Sequence, residues 1–306
     1  MDAMHGHHGH AHDHHDHAHH QPAPSGKRYT IAIGLNLGFV AIESTAGFFA
    51  NSTALLSDAT HNLSDVLGLA LAGGAAWLAK QQAGRQRTYG YAKATILAAL
   101  ANALVLVVAC GGLLWEASSR LLAPQPTQPL LIMAVAAAGV AINGATAMLF
   151  LRDRKGDVNA RGAYLHMLAD AGVSAAVIVA GLVIFFTGLN WIDPAISVAV
   201  VLLILWGTWG LLRESLDLTL DAAPAHIDVA KVRAYLAEQP GVTAVHDLHV
   251  WAMSATRPAL TAHLVRPEGT DDEFLVKLTD GITHTFGISH VTIQIERAQR
   301  DECEDC

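Results

Sequence analysis

Charge is scarce in this 306-residue chain: 15% of residues are Asp, Glu, Lys or Arg, while 52% are hydrophobic. Soluble domains carry about a quarter charged residues, so an ordinary soluble domain is excluded and membrane segments become the first expectation. Cysteine is equally sparse. Cys110 falls in an apolar run and Cys303 and Cys306 at the tail, which excludes a disulfide framework and suits a C-terminal domain in the cytoplasm. Positive charge is in deficit, with 27 acidic against 19 basic residues and a net charge of -8, and that argues against a nucleic-acid partner. The first 26 residues lack the apolar core of a processed signal peptide, so the first hydrophobic run reads as a retained helix.

What is present begins with six apolar segments, near residues 30–50, 54–79, 94–117, 129–151, 163–187 and 193–212. Each is long enough to cross about 30 Å of hydrocarbon, which takes roughly 20 helical residues. With a cytoplasmic N-terminus, Lys27, Arg28, Lys80, Arg85, Arg87, Lys93, Arg152, Arg154, Lys155, Arg161 and Arg213 all lie inside, and only Arg120 lies in an outer loop. Eleven against one sets the orientation. Both termini are expected in the cytoplasm of a multi-pass protein of the inner (plasma) membrane.

Residues 1–26 form a low-complexity tail with ten of the 18 histidines: His5, His7, His8, His10, His12, His14, His15, His17, His19 and His20. Too polar to bury a core, the tail can still bind borderline metals in many geometries. An appended affinity tag is the competing reading, against which the irregular spacing speaks. Residues 27–215 make the transmembrane domain, 216–298 a cytoplasmic α+β domain, and 299–306 an acidic tail whose Cys303 and Cys306 are an auxiliary metal pair or simply unstructured. Within the cytoplasmic domain, a helix is expected over His226–Glu238 and strands over Val242–Met253 and Pro258–Val265. A second helix over Asp271–Phe286 and a last strand over His290–Glu296 complete an α-β-β-α-β order. That order permits a small sheet with helices on one face.

Asp65 and Asp170 lie deep inside apolar segments, where a lone carboxylate is costly unless paired, metal-bound or wet. His61 precedes Asp65 by four residues and His166 precedes Asp170 by four, so each pair occupies one helix face. Two such faces offer two nitrogens and two oxygens, a sufficient set for tetrahedral Zn²⁺. Four protein ligands leave no obligatory open position and the HExxH pattern is absent, so a carrier site fits better than a hydrolytic one. Helix–helix hydrogen bonding without metal is the competing account. Asn36 and Glu43 in the first helix, Asp58 one turn before His61, and Asn143 in the fourth helix are candidates for path or support. Tyr89 and Tyr91 read as interfacial anchors, with Arg87 and Lys93 facing headgroups.

The ordered strings LLSDATHNLSD (55–65), RTYGYAKATILAALAN (87–102), NARGAYLHMLADAGVS (159–174), WIDPAIS (191–197), HDLHVWAMS (246–254) and GISHVTIQIE (287–296) resemble the cation diffusion facilitator family, in its bacterial zinc/cadmium/cobalt efflux branch. The resemblance spans about residues 27–297. It implies a homodimer with six membrane helices per subunit and a ferredoxin-like cytoplasmic domain similar to a metallochaperone. It also implies a site between the second and fifth helices, at His61, Asp65, His166 and Asp170, from which Zn²⁺ leaves the cytoplasm in exchange for protons. His at position 61 resembles zinc-preferring members; relatives with Asp there accept cadmium more readily. No organic cofactor is expected.

In the cytoplasmic domain the resemblance matches His246 and His263 to metal-binding positions, but Gln294 and Glu296 stand where a fully equipped member has His and Asp. His290 is the candidate to complete such a site. In a regular strand His246 and His249 face opposite sides, while His249 and Trp251 share one. The rival functions are export of Cd²⁺, Co²⁺ or Ni²⁺ and metal sensing without flux.

Overall fold

A computed structural model describes residues 26–151 and 158–298. The histidine tail, Cys303, Cys306, Arg152, Arg154 and Lys155 lie outside the described residues. Six helices are long and apolar enough to cross a membrane: α1 Gly26–Ala50, α2 Thr53–Ala79, α3 Ala94–Leu122, α4 Pro129–Phe150, α5 Val158–Thr187 and α6 Ile192–Thr219. The third and sixth run further than their apolar segments, because a helix satisfies its own backbone and need not stop where hydrocarbon ends.

Local chemistry sets the helix ends. Asn51 takes a left-handed conformation (φ 51°) and Ser52 caps α2, accepting the Leu55 amide. Together they turn the chain back within three residues. Pro129 opens α4, where its missing N–H costs nothing. On the cytoplasmic side, Gly90 (φ 65°) makes a turn in which a Cβ would lie 3.2 Å from the Gln81 carbonyl oxygen.

The bundle has two apolar centres. Phe39, Leu55, Ile132 and Val177 fill the outer half between α1, α2, α4 and α5. Leu106, Cys110, Val201 and Ile204 fill the seam between α3 and α6. Gly139 lets α4 approach closely, since a Cβ there would fall 2.8 Å from both Phe39 and Ser174. The most extensive helix pairing is α4 with α5, followed by α3 with α6, whereas α2 and α5 touch at few places.

The cytoplasmic domain comprises α7 Val229–Ala237, β1 Ala244–Ser254, β2 Arg257–Val265, α8 Asp272–Phe286 and β3 His290–Glu296. The first of these helices is shorter than expected. Asp228 caps it by accepting the Ala230 and Lys231 amides, which leaves His226 and Ile227 in the preceding turn. The strand order is β1-β2-β3, with β1 antiparallel to β2 and β2 parallel to β3. This is the ferredoxin-like arrangement without its first strand. Val232, Leu236, Leu278 and Ile282 of the two helices bury one sheet face against Val250, Leu260 and Leu264, and the histidines fall on the other.

Specific contacts among the described residues join the domains. Lys93 Nζ pairs with Asp221 at 2.6 Å, the Ala255 amide donates to Thr95 Oγ1 at 3.1 Å, and Tyr89 packs edge-on against His290, ring centres 5.7 Å apart. The expectation that Tyr89 and Lys93 anchor to lipid is thereby corrected: both face the cytoplasmic domain. Arg87 donates to the Tyr91 hydroxyl at 2.6 Å.

Candidate metal centre

The i,i+4 spacing on α2 and α5 brings His61, Asp65, His166 and Asp170 to one place, in alternating order around a ring. His61 Nε2 lies 3.7 Å from Asp65 Oδ2 and 3.5 Å from Asp170 Oδ1. His166 Nε2 lies 3.0 Å from Asp65 Oδ2 and 3.7 Å from Asp170 Oδ2. A tetrahedral Zn²⁺ with ligands at about 2.0–2.1 Å has ligand–ligand edges of about 3.3–3.4 Å; the four nitrogen–oxygen distances scatter about that length, with Asp170 turning a different oxygen to each histidine and Asp65 standing outside the mutually close set. One atom each from His61, His166 and Asp170 also lies within 4.8 Å of the others. The two rings meet edge-on, with centres 5.8 Å apart, which keeps both Nε2 atoms inward.

Exposure differs around the ring. The side chains of Asp65 and His166 are 31% and 41% exposed, that of Asp170 only 3%. A cavity of about 390 Å³ adjoins Asp65 and His166, with Asn36, Asn102 and Met167 on its walls, and reaches Phe150 and Gly162 near the cytoplasmic ends of α4 and α5. Asn36 Nδ2 donates to Met167 Sδ at 3.7 Å, which puts it on the inner path. Outward of the ring, Glu43 and Asp58 are fully buried, Asn62 Nδ2 donates to Glu43 Oε2 at 3.2 Å, and Ser174 Oγ donates to Asp58 Oδ2 at 3.1 Å. Asn143 is also buried, and its amide finds no partner among the described residues. Ser174 and Asn62 escaped the sequence reading; only Ser174 carried a signal, four residues beyond Asp170.

A second cluster lies on the open face of the cytoplasmic sheet. His246 Nε2 is 3.0 Å from Glu296 Oε2 and His263 Nδ1 is 3.4 Å from Glu296 Oε1. Register explains the meeting: His246 pairs with His263 across β1–β2, and Glu296 ends β3 beside Val265. The expectation that His246 and His249 face opposite sides is overturned. The register shifts between them, with Asp247 at φ 49°, and this β-bulge restores His249 to the face of His246. Asp247 then touches two histidines, His249 Nε2 at 2.7 Å and His263 Nε2 at 3.3 Å.

Gln294 donates to Glu296 Oε1 at 2.7 Å. That amide first, and His246 after it, hold the Glu296 carboxyl below the usual carboxylate range; the His249 hydrogen bond does the same for Asp247, with His263 adding to it. His290 does not join the cluster. It pairs with Ala259, four positions before the His263–Gln294 pair, and meets Tyr89.

Six spanning helices, a ring of two histidines and two aspartates beside a cavity, and a histidine-bearing sheet are the features of a membrane protein that handles metal cations. The cation efflux transmembrane domain matches residues 29–218, and the cation efflux protein cytoplasmic domain matches residues 224–298. The chain is 36% identical over 285 residues to the metal cation efflux system protein CzcD of Cupriavidus metallidurans, covering 92% of this chain and 90% of the relative. It is 35% identical over 273 residues to the zinc transporter ZitB of Escherichia coli, covering 88% and 87%. It is 32% identical over 286 residues to the cadmium, cobalt and zinc/H(+)-K(+) antiporter of Bacillus subtilis, covering 90% and 91%. The chain belongs to the cation efflux, or cation diffusion facilitator, family, in its zinc/cadmium/cobalt branch. It is a multi-pass membrane protein with a cytoplasmic C-terminal domain.

Proposed function

We propose that this protein exports Zn²⁺ from the cytoplasm in exchange for external protons, carrying the ion between His61, Asp65, His166 and Asp170. The alternating ring, with nitrogen–oxygen edges of 3.0–3.7 Å, carries the reading. Two ionised carboxylates neutralise a divalent cation, and two imidazoles complete a tetrahedral set. Export also requires release. A proton taken by either histidine or either aspartate removes a ligand and offsets the lost positive charge, so H⁺ and Zn²⁺ compete for one site. A relative named as a zinc transporter and another named as a cadmium, cobalt and zinc/H(+)-K(+) antiporter favour this assignment, and the second favours tolerance of Cd²⁺ and Co²⁺ as well.

The division of labour follows from the same reading. Residues 27–215 transport, residues 216–298 regulate and support a homodimer, and the tails 1–26 and 299–306 collect metal. His246, His263 and Glu296 take a regulatory ion, with Asp247 orienting His263 from its far nitrogen. Purified protein in vesicles tests the central point. An imposed pH gradient should drive zinc across the membrane, and a gradient that moves no zinc would leave the metal-sensor alternative standing.

A further inference from the structure

The cavity of about 390 Å³ beside the ring is apolar over much of its wall, with Ile33, Leu69 and Phe150 in its lining, yet two amides stand in it that helix packing does not employ. Asn36 donates its Nδ2 to Met167 Sδ at 3.7 Å, a weak acceptor, and its Oδ1 has no partner among the described residues. The Asn102 side chain makes no hydrogen bond among them at all. Its amide rests against Gly68, where a Cβ would lie 3.0 Å from Nδ2. Gly68 follows Asp65 by three residues and Gly162 precedes His166 by four, so each glycine stands one turn from an exposed ring ligand on the same helix face. A Cβ at Gly162 would meet nothing within 4 Å. The backbone therefore leaves open space before Asp65 and His166, with Asn102 on the side of the first and Asn36, through Met167, on the side of the second.

A tetrahedral ring of four protein ligands has no place for water, whereas a cation in solution arrives with about six waters, each taking roughly 30 Å³. The cavity has room for the ion with that shell. Losing every water in one step against an apolar wall is costly. Neutral amide oxygens replace waters one at a time and hold a divalent ion without adding charge. We propose that this cavity is a loading position distinct from the ring, where the cation trades part of its water for the amide oxygens of Asn36 and Asn102 under the pull of Asp65. The ion it passes follows from the same donors. Mg²⁺ dehydrates reluctantly and gains nothing from the Met167 thioether, whereas Zn²⁺ accepts oxygen and sulfur donors together. Asn36, Asn102 and Met167 are thus specificity residues ahead of the ring. This rests on the reading that the ring takes the transported ion.

Binding kinetics on the full chain test the loading position. Zinc association with the ring is followed by stopped flow, with the signal of the Asp170→Ala chain subtracted so that the tail and the cytoplasmic sheet drop out. A loading position speeds entry and exit alike. Asn36→Leu with Asn102→Leu should therefore slow the on-rate and the off-rate together by about tenfold and leave Kd within about twofold. Gly162→Leu, which fills the passage and leaves both amides in place, should do the same, and Asn36→Asp, which keeps an oxygen, should hold the on-rate within about threefold of the parent. A Kd raised about tenfold with an unchanged on-rate would make the asparagines supports of the ring and overturn the loading position. Rates within about twofold of the parent in both the double variant and Gly162→Leu would overturn it too. About a hundredfold excess of Mg²⁺ should slow association with the parent less than about twofold, and a slowing of about tenfold would refute the selection against Mg²⁺. A parent that binds zinc at the ring yet moves none across vesicles refutes the transport reading alone, and the rates still judge the loading position.

Discussion

The two histidine–carboxylate clusters use nearly the same side chains and reach them by opposite routes. In the membrane, two helices each supply a pair at i,i+4, and packing needs only to set the helices side by side. In the cytoplasmic sheet, His246, His263 and Glu296 come from three strands, and the cluster exists only because the strand register is right. Their surroundings differ as well. The intramembrane ring is backed by a buried layer of Glu43 and Asp58, held by Asn62 and Ser174, while the sheet cluster is buttressed directly by Gln294 and Asp247. On the proposed reading the first arrangement is the carrier and the second the regulator.

The largest effect should come from removing one proposed ligand of the ring. Asp170→Ala leaves three donors and one uncompensated charge, and zinc flux in vesicles should fall by about 100-fold or more, beyond the 10- to 100-fold typical of supporting groups. Flux that survives in Asp170→Ala would break the contrast between the clusters. His61→Asp is subtler, because it exchanges a nitrogen for an oxygen at one corner. Flux should persist while preference for Zn²⁺ over Cd²⁺ drops several-fold. An unchanged ratio in paired uptake assays would remove His61 as the element of selectivity.

How far each cluster could be read from sequence follows from the same contrast. Helical spacing is local: HNLSD and HMLAD each carry their own geometry, and the apolar context supplies the depth, so the meeting of the four residues and the six helices were legible. Sheet contacts are not local. The last strand was legible over His290–Glu296, yet the bulge at Asp247 was not, because a left-handed aspartate leaves no periodic trace. Alternation alone therefore sent His246 and His249 to opposite faces. His290 was the candidate to complete a site in which Gln294 and Glu296 replace His and Asp, and register placed it four residues away from the His263–Gln294 pair. Nothing in WIDP reveals that the partners of Asp193 stand 140 residues earlier.

In the sheet, His263→Ala should abolish binding of one Zn²⁺ equivalent to the cytoplasmic domain and leave maximal flux at saturating zinc within about threefold. Asp247→Asn should weaken the same binding by about tenfold without removing it, because it loosens His263 instead of deleting a ligand. Titration calorimetry on the full chain carrying Asp170→Ala, which should silence the ring, separates the two. Equal loss in both variants would make Asp247 a ligand in its own right.

The smallest effect concerns acid. The folded-state pKa of Glu296 is depressed, chiefly by the Gln294 amide and then by His246. A depressed carboxylate contributes stability that is fully present above its unfolded value, about 4.3 for Glu, and is lost as pH falls through the folded value. Metal-free protein and its Glu296→Gln variant should therefore show a clear thermal midpoint gap at about pH 5, where the carboxylate is ionised. Below about pH 4.3 the gap should narrow, as the parent loses what the amide never had. Monitoring the domain by exchange at 290–296 reads this directly, and a gap that stayed constant down to pH 3 would mean that the Glu296 charge contributes nothing to holding the three strands' ligands together.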